Sequence, residues 1–207
     1  MFTLNEFLIW STFQLSIIFI FGLPLSIFAW SIKKKNKAVE KLLSCYWKVS
    51  LLYFISLILF IGKVDFALLI FNISNLLITI SIWFWSDINN ELKEYKLSHY
   101  LTSITKIWRW GITFISIIFL LKSFQNFKCF YSVQLLSCND WMEPSTNLFS
   151  IINNLFNFLF GASFTEPIAK FIGLFALLLY TIGLFQWIII KLPKNGRNSQ
   201  FSNYGEN

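Results

Sequence analysis

Long apolar runs are the feature that most constrains this chain. Five stretches reach the length of about 20 mostly apolar residues that a membrane-spanning helix needs. They cover residues 8–32, 42–61, 64–85, 107–124 and 168–192. Charged residues make up 13% of the 207 residues and hydrophobic residues 56%, whereas a soluble domain has about 25% charged residues. A soluble enzyme, a disordered chain and a disulfide-stapled secreted domain are therefore excluded, and the sequence predicts an all-α integral membrane bundle.

The first, third and fourth runs each depart from a regular apolar span. The first contains Gly22 and Pro24, which predict a kink. The third contains Asn72, Ser74 and Asn75, and we expect these to hydrogen-bond to neighbouring helices. The fourth is the weakest run, since it reaches spanning length only by including residues on both sides of its apolar centre.

A sixth apolar run, residues 148–164, contains three asparagines, whose amides would need hydrogen-bond partners in lipid. Its apolar residues and its asparagines fall on opposite sides of a helix. The apolar side holds Phe149, Ile152, Phe156 and Phe160, and the polar side holds Asn153, Asn154 and Asn157. This pattern predicts an amphipathic helix lying in the membrane interface rather than a sixth span.

The basic residues predict the orientation, because Lys and Arg accumulate in loops that stay in the cytoplasm. With five spans and the N-terminus outside, 13 of the 17 Lys and Arg lie on the cytoplasmic side. A sixth span would move the basic C-terminus outside and weaken this asymmetry. The sequence thus predicts an N-out, C-in topology with one transmembrane domain over residues 1–192, an outer loop over 125–167 and a disordered cytoplasmic tail over 193–207. The topology also explains the net charge of +7, so no nucleic-acid partner is expected.

Two of the three cysteines, Cys129 and Cys138, lie in the predicted outer loop, and Cys45 lies near the inner end of the second span. An oxidising compartment would let the outer pair close a disulfide. A redox-sensing pair and two unpaired thiols are the alternatives. A zinc site is not expected, because His99 is the sole histidine and lies on the opposite side.

Tryptophans and charges concentrate at the predicted cytoplasmic face, which holds seven of the nine Trp. One interpretation is an aromatic belt with snorkelling cations. The other is a polar cluster inside the bundle in which one carboxylate pairs with one or both cations. Such a cluster would join helices, bind an anionic lipid headgroup or dock a partner. The candidate residues are Lys48, Asp87 and Arg109 with Trp47, Trp85, Trp108 and Trp110.

Five strings resemble a family of small polytopic membrane proteins of cyanobacteria, with plastid relatives, that is known as a domain of unknown function. They are CYWKVSLL (45–52), TISIWFWSDINNEL (79–92), IWRW (107–110), WMEP (141–144) and NGRNS (195–199). The resemblance implies a cyanobacterial plasma or thylakoid membrane, with the outer loop facing the periplasm or the lumen. It implies no catalytic residues.

The sequence contains no HExxH, GxSxG or phosphate-binding loop, and it contains no cluster of metal ligands. It therefore predicts no catalytic residue, no cofactor and no metal. The favoured function is an accessory or assembly protein whose partners are membrane lipid and other membrane protein subunits. A small transporter or channel is the second candidate, and a membrane enzyme is the third.

Overall fold

Helices make up nearly all of the part of the chain that the structure, a computed structural model, describes: residues 4–34, 37–83, 99–125, 127–131, 138–187 and 189. The α-helices in these ranges are α1 (Leu4–Ile17), α2 (Leu23–Lys33), α3 (Lys37–Ile61), α4 (Ala67–Trp83), α5 (His99–Gln125), α6 (Asn139–Phe160) and α7 (Glu166–Gln186). A π-helical turn, Ile18–Gly22, joins α1 to α2, and a 3₁₀ turn, Phe127–Phe130, precedes α6.

Within the described residues, four helical stretches are long and apolar enough to cross a membrane, and they coincide with the first, second, fourth and fifth predicted spans. They are Ser11–Lys33, Val39–Ile61, Ser103–Gln125 and Glu166–Gln186. The third predicted span corresponds to α4, which is apolar but has 17 described residues, a length of about 25 Å. The last residues of the predicted third and fifth spans and the predicted tail, 193–207, lie outside the described residues.

A salt bridge and a ring contact define the two ends of the bundle. Lys63, which follows α3, pairs with Glu166 at the start of α7 at 2.8 Å, so these termini lie at one end, which we call the bridge end. At the other end, which we call the tryptophan end, Trp83 at the close of α4 contacts Trp110 of α5, with ring centroids 5.2 Å apart. The helices thus run back and forth between the bridge end and the tryptophan end.

Helix α3 lies at the centre, where it packs against α2, α4, α6 and α7. Aromatic rings fill the core beside it. The Phe71 ring of α4 lies 5.1 Å from that of Tyr53, 5.0 Å from Phe119, 5.7 Å from Phe60 and 6.4 Å from Trp141, measured between centroids. Four helices therefore meet around one phenylalanine.

The predicted kink in the first span is a π-helical turn. Leu23 donates its backbone N–H to the Ile18 carbonyl, five residues back instead of four. Pro24 follows and has no N–H. It therefore cannot donate to the Ile20 carbonyl four residues back, nor to the Phe19 carbonyl five residues back. Because Leu23 already bonds to Ile18 and Pro24 has no N–H, the carbonyls of Phe19 and Ile20 both lack these helical donors.

Side chains from two other helices supply the missing donors. The Tyr46 hydroxyl of α3 donates to the Ile20 carbonyl at 2.7 Å, and the Trp108 indole N–H of α5 donates to the Phe19 carbonyl at 2.8 Å. Both side chains are fully buried, and their rings stand edge to face with centroids 5.0 Å apart. The turn in the first span is thus joined to α3 and α5.

The buried polar residues of α4 donate their hydrogen bonds to carbonyls of their own helix. The prediction that they would hydrogen-bond to neighbouring helices is therefore wrong. The Nδ2 groups of Asn72 and Asn75 donate to the carbonyls four residues back at 2.8 and 2.9 Å, and the Ser74 hydroxyl donates three residues back at 2.7 Å. In the described part of the chain, neither asparagine Oδ1 has a hydrogen-bond donor. The cause is geometric, since a short side chain on a helix reaches its own preceding turn first.

Helix α6 is amphipathic, as predicted for this region, but its apolar surface is wider than one side. Of the predicted apolar side, Phe149, Ile152 and Phe156 pack with Leu148 against α3 and the start of α7. Phe160, the fourth predicted member, is exposed instead. A second apolar strip is exposed and consists of Ile151, Leu155, Phe158 and Leu159. The polar stripe between them holds the asparagines, of which Asn153 accepts the backbone N–H of Phe164 at 2.7 Å. Gly161, in the left-handed conformation at φ 66°, ends the helix.

Helix α7 packs on α3 through small residues. Its only buried residues are Ala169 and Gly173, four positions apart on one face. A Cβ on Gly173 would lie 2.8 Å from the Leu59 Cδ2 atom, and a Cβ on Gly62 would lie 2.7 Å from the Lys170 backbone. This close seam is typical of helices that associate in lipid, where small residues let backbones approach.

Candidate functional site

Arg109 lies at the tryptophan end, where α5 holds it against the last turn of α4. Its Nη2 donates to the Ile82 carbonyl at 2.6 Å, and its guanidinium carbon lies 4.3 Å from the centroid of the Trp83 ring. The side chain is buried, and its Nε has no hydrogen-bond partner among the described residues. The guanidinium therefore supplies a charged donor to a backbone carbonyl of α4.

Trp83 and Trp110 form the outer wall of the Arg109 site. Both rings are exposed, and the Trp83 indole N–H donates to the Thr113 hydroxyl at 2.9 Å. Exposed tryptophan rings whose N–H groups find a hydrogen-bond partner are typical of the membrane interface, and Trp83 is one. This side of the predicted cluster therefore resembles an aromatic belt on its surface and a cation site beneath it.

Lys48 lies between a different pair of helices. Its Nζ is 5.0 Å from the centroid of the Trp187 ring, which directly follows α7. The two predicted cations thus contact different tryptophans, since Lys48 belongs to the α3–α7 contact and Arg109 to the α4–α5 contact.

Two other members of the predicted cluster, Trp108 and Trp47, contact the π-helical turn of the first span. Trp108 lies in the core on the π-turn, and Trp47 is half-buried, with its ring 5.9 Å from Tyr46 and 6.4 Å from Phe21. Asp87 and Trp85 lie outside the described residues. The pairing of Asp87 with Lys48 or Arg109 stays a prediction.

Trp83 and Trp187, the aromatic partners of the two cations, are not among the candidate residues chosen from the sequence. Trp83 lies four residues before Asp87, so its position in the sequence alone could have added it to the predicted cluster. Trp187 is 139 positions from Lys48 in the chain, so only the packing of α7 on α3 reveals that contact.

The cysteine pair predicted to close a disulfide is joined in the structure. The Cys129 and Cys138 sulfur atoms are 1.98 Å apart, and the Cα atoms are 5.7 Å apart. Both residues are buried against the core. The bond attaches the 3₁₀ turn that follows α5 to the start of α6, and Cys45 is outside it.

A cavity of about 300 Å³ lies between α3 and α7 at the tryptophan end. Lys48, Cys45 and Leu51 of α3 line one wall, and Tyr180 and Gly183 of α7 line the other. Among the described residues, no group of three or more His, Cys, Asp or Glu is placed to hold a metal ion. The chemistry offered by this region is that of a cation, aromatic rings and a hydroxyl beside an apolar surface.

The model of one protein family, described as "Protein of unknown function (DUF3177)", matches residues 6–200. The match covers all of the helices from α2 to α7 and most of α1. No curated protein and no solved structure matches the chain.

Proposed function

We propose that this chain, which belongs to the DUF3177 family of proteins of unknown function, is a membrane accessory or assembly protein that acts by binding other membrane proteins. The observation that carries the proposal is the position of α7. Only two of its residues are buried, so most of its surface faces outward from the bundle.

The outward surface of α7 is continuous and rich in aromatic and aliphatic residues. It holds Phe171, Phe175, Leu178, Leu179, Ile182 and Phe185, all exposed. The Phe171 and Phe175 rings are parallel, with centroids 6.2 Å apart. Helices in lipid associate by close packing rather than by the hydrophobic effect. A helix that packs on its own bundle along one narrow seam keeps its other sides available for such packing with a partner.

The aromatic core favours this function over a transporter. Transporter sites lie near the bilayer midplane between helices. In the described core, the rings of Phe71, Phe119 and Trp141 are in mutual contact, and the cavity beside them has a volume of about 10 Å³. That volume is about the least that can hold a single water molecule, so the core has no room for a larger substrate at this point.

We further propose that the chain crosses the membrane five times, N-out and C-in, with α4 as the third span and α6 in the outer interface. The support is the asymmetry of the basic residues, together with the cysteine bond, which an oxidising outer compartment would maintain. The membrane proposed from the sequence resemblance is a cyanobacterial plasma or thylakoid membrane. Reporter fusions test the orientation, since an exported reporter active at the C-terminus would contradict it.

Photocrosslinking in native membranes tests the partner-binding function. A photoreactive phenylalanine analogue at Phe175 or Leu179 of α7 should form discrete protein adducts that mass spectrometry can identify. The matched controls are Phe114 and Leu121 of α5, which are also exposed, and they should yield lipid adducts. Lipid adducts alone at all four positions would contradict the proposal.

A further inference from the structure

The cavity between α3 and α7 has the features of a lipid-binding groove, and we propose that it binds the headgroup of one anionic phospholipid. In this arrangement the phosphate lies beside the Lys48 ammonium and the Tyr180 hydroxyl, and the acyl chains lie against the apolar surface of α3. This inference concerns a ligand of the groove and is independent of the protein partner proposed for the outer face of α7.

The polar groups that line the groove suit a phosphate. Lys48 supplies a positive charge and is held against the Trp187 ring at 5.0 Å. The Tyr180 hydroxyl is buried and has no hydrogen-bond partner among the described residues. A buried hydroxyl without a partner costs free energy, and a phosphate oxygen would accept its hydrogen bond. Gln186 adds an amide at the same end.

The depth of the groove matches the headgroup level. The Lys63–Glu166 salt bridge fixes α3 and α7 at a common level at the bridge end. Lys48 is 15 residues from Lys63 along α3, or about 22 Å, and Trp187 is 21 residues from Glu166 along α7, or about 31 Å. Because the hydrocarbon layer is about 30 Å thick, the groove extends from about 8 Å inside this layer, at the Lys48 backbone, to its polar boundary at Trp187. The long Lys48 side chain can carry its ammonium towards that boundary.

The walls of the groove suit the apolar part of a lipid. Leu51 is exposed at the side of the groove, and Leu184 lies opposite. Gly183 keeps the groove open, because a Cβ built there would have no atom within 4 Å. An open apolar side favours entry from the bilayer over entry of a soluble anion from water.

The experiment measures lipid binding by the full chain purified in neutral detergent. Phosphatidylglycerol is titrated into the micelles, phosphatidylcholine serves as the neutral lipid and inorganic phosphate serves as the soluble anion. Native mass spectrometry counts bound lipid, and the thermal midpoint reports stabilisation. We expect one phosphatidylglycerol per chain, with weaker binding of phosphatidylcholine and no effect of inorganic phosphate.

Three variants test the groove. Lys48→Gln removes the charge, Tyr180→Phe removes only the hydroxyl, and Gly183→Leu fills the space without removing a polar group. We expect Lys48→Gln to weaken phosphatidylglycerol binding about tenfold, the size of one lost charge-assisted hydrogen bond. Tyr180→Phe should weaken it less, and Gly183→Leu should abolish it. Lys106→Gln, which removes an exposed cation from the same end, is the matched control and should bind as the wild type does.

Several results would overturn the proposal. These are wild-type affinity in Lys48→Gln, equal binding of the two lipids, and equal stabilisation by inorganic phosphate, which would indicate a soluble-anion site. Should Lys48→Gln fail to fold, Gly183→Leu decides alone, since its Cβ enters open space and unchanged binding would reject the groove. The crosslinks expected at Phe175 do not depend on any of these outcomes.

Discussion

Single side chains determine how the first span joins the bundle. Pro24 removes one N–H, and Tyr46 and Trp108 supply donors to the carbonyls of Ile20 and Phe19. A buried carbonyl left without a donor costs about 1–3 kcal/mol. Both aromatic residues lie in strings that the sequence analysis singled out, CYWKVSLL and IWRW, but those strings were predicted to lie at the membrane face. Their role in the core depends on acceptors 26 and 89 positions away along the chain, which local pattern cannot reveal.

Tyr46→Phe should lower the free energy of unfolding by about 1–2 kcal/mol, because it leaves the Ile20 carbonyl without its donor. In a Pro24→Ala background the same substitution should cost less, since alanine, unlike proline, has an N–H that can donate to that carbonyl. Unfolding by denaturing detergent in mixed micelles measures both values. Tyr100→Phe, at an exposed position, is the control. An equal cost of Tyr46→Phe in the two backgrounds would refute the explanation.

The predicted pairing of Arg109 with Asp87 can be measured by a double-mutant cycle with Arg109→Gln and Asp87→Asn. If the two groups pair, their coupling free energy should be about 1 kcal/mol or more, because Arg109 is buried. Arg109→Gln alone should destabilise the protein, since it removes the donor to the Ile82 carbonyl. A coupling near zero would exclude pairing between these two residues and would leave Arg109 as a donor to the Ile82 carbonyl alone.

At the scale of helices, the apolar runs predict where the helices lie along the chain, but they do not predict which helices contact each other. Each of the five runs contains a helix in its described part, because a run of about 20 apolar residues has few alternatives to a helix in lipid. Contacts follow from small residues instead. Ala169 and Gly173 have the spacing of a helix-packing motif, which could have been noticed in the sequence. Their partner on α3 could not, since Leu59 and Gly62 lie in an ordinary apolar stretch.

The loss of stability in three glycine-to-alanine variants should follow how closely the new Cβ approaches neighbouring atoms. Gly62→Ala should destabilise most, because the Cβ would lie 2.7 Å from the Lys170 backbone, which cannot rotate away. Gly173→Ala should cost less, because the Leu59 side-chain tip at 2.8 Å can move. Gly183→Ala should be neutral or stabilising by up to about 1 kcal/mol from helix propensity. Thermal midpoints measure this ranking of stability. Equal midpoints for Gly62→Ala and Gly183→Ala would contradict the close packing of α7 on α3.

At the scale of the whole molecule, the bridge end and the tryptophan end differ in chemistry. The bridge end holds the cysteine bond and the Lys63–Glu166 pair, whereas the other end holds the buried arginine and the paired tryptophans. The distribution of Lys and Arg predicted that the two ends differ, because basic residues collect at one end of each span and are scarce at the other. It could not predict that Lys48 and Arg109 would contact separate helix pairs, since helix neighbours are set by packing rather than by depth.

Alkylation tests the cysteine bond and the orientation together. Under denaturing, non-reducing conditions one thiol per chain, Cys45, should be modified, and after reduction all three should be. In intact membranes, an impermeant maleimide added from the outer side should modify the new thiol of a Tyr131→Cys variant, which lies at an exposed position beside the bond, but not Cys45. Two reactive outer thiols before reduction would refute the bond. Serine in place of both Cys129 and Cys138 should lower stability by about 2–3 kcal/mol, the value for a loop of this length.

The narrow seam of α7 has a consequence for how the protein is assembled. The rings around Phe71 come from α3, α4, α5 and α6, so this cluster is complete without α7, and the left-handed Gly161 already ends the preceding helix. We therefore expect the final helix to associate with the rest of the bundle even when it is not covalently attached. Two separately translated pieces, residues 1–161 and 162–207, should find each other in the bilayer and copurify, and Gly62→Ala should prevent their association. The C-terminal helix is therefore the part of this fold that could be exchanged, lost or supplied by another chain while the core stays intact.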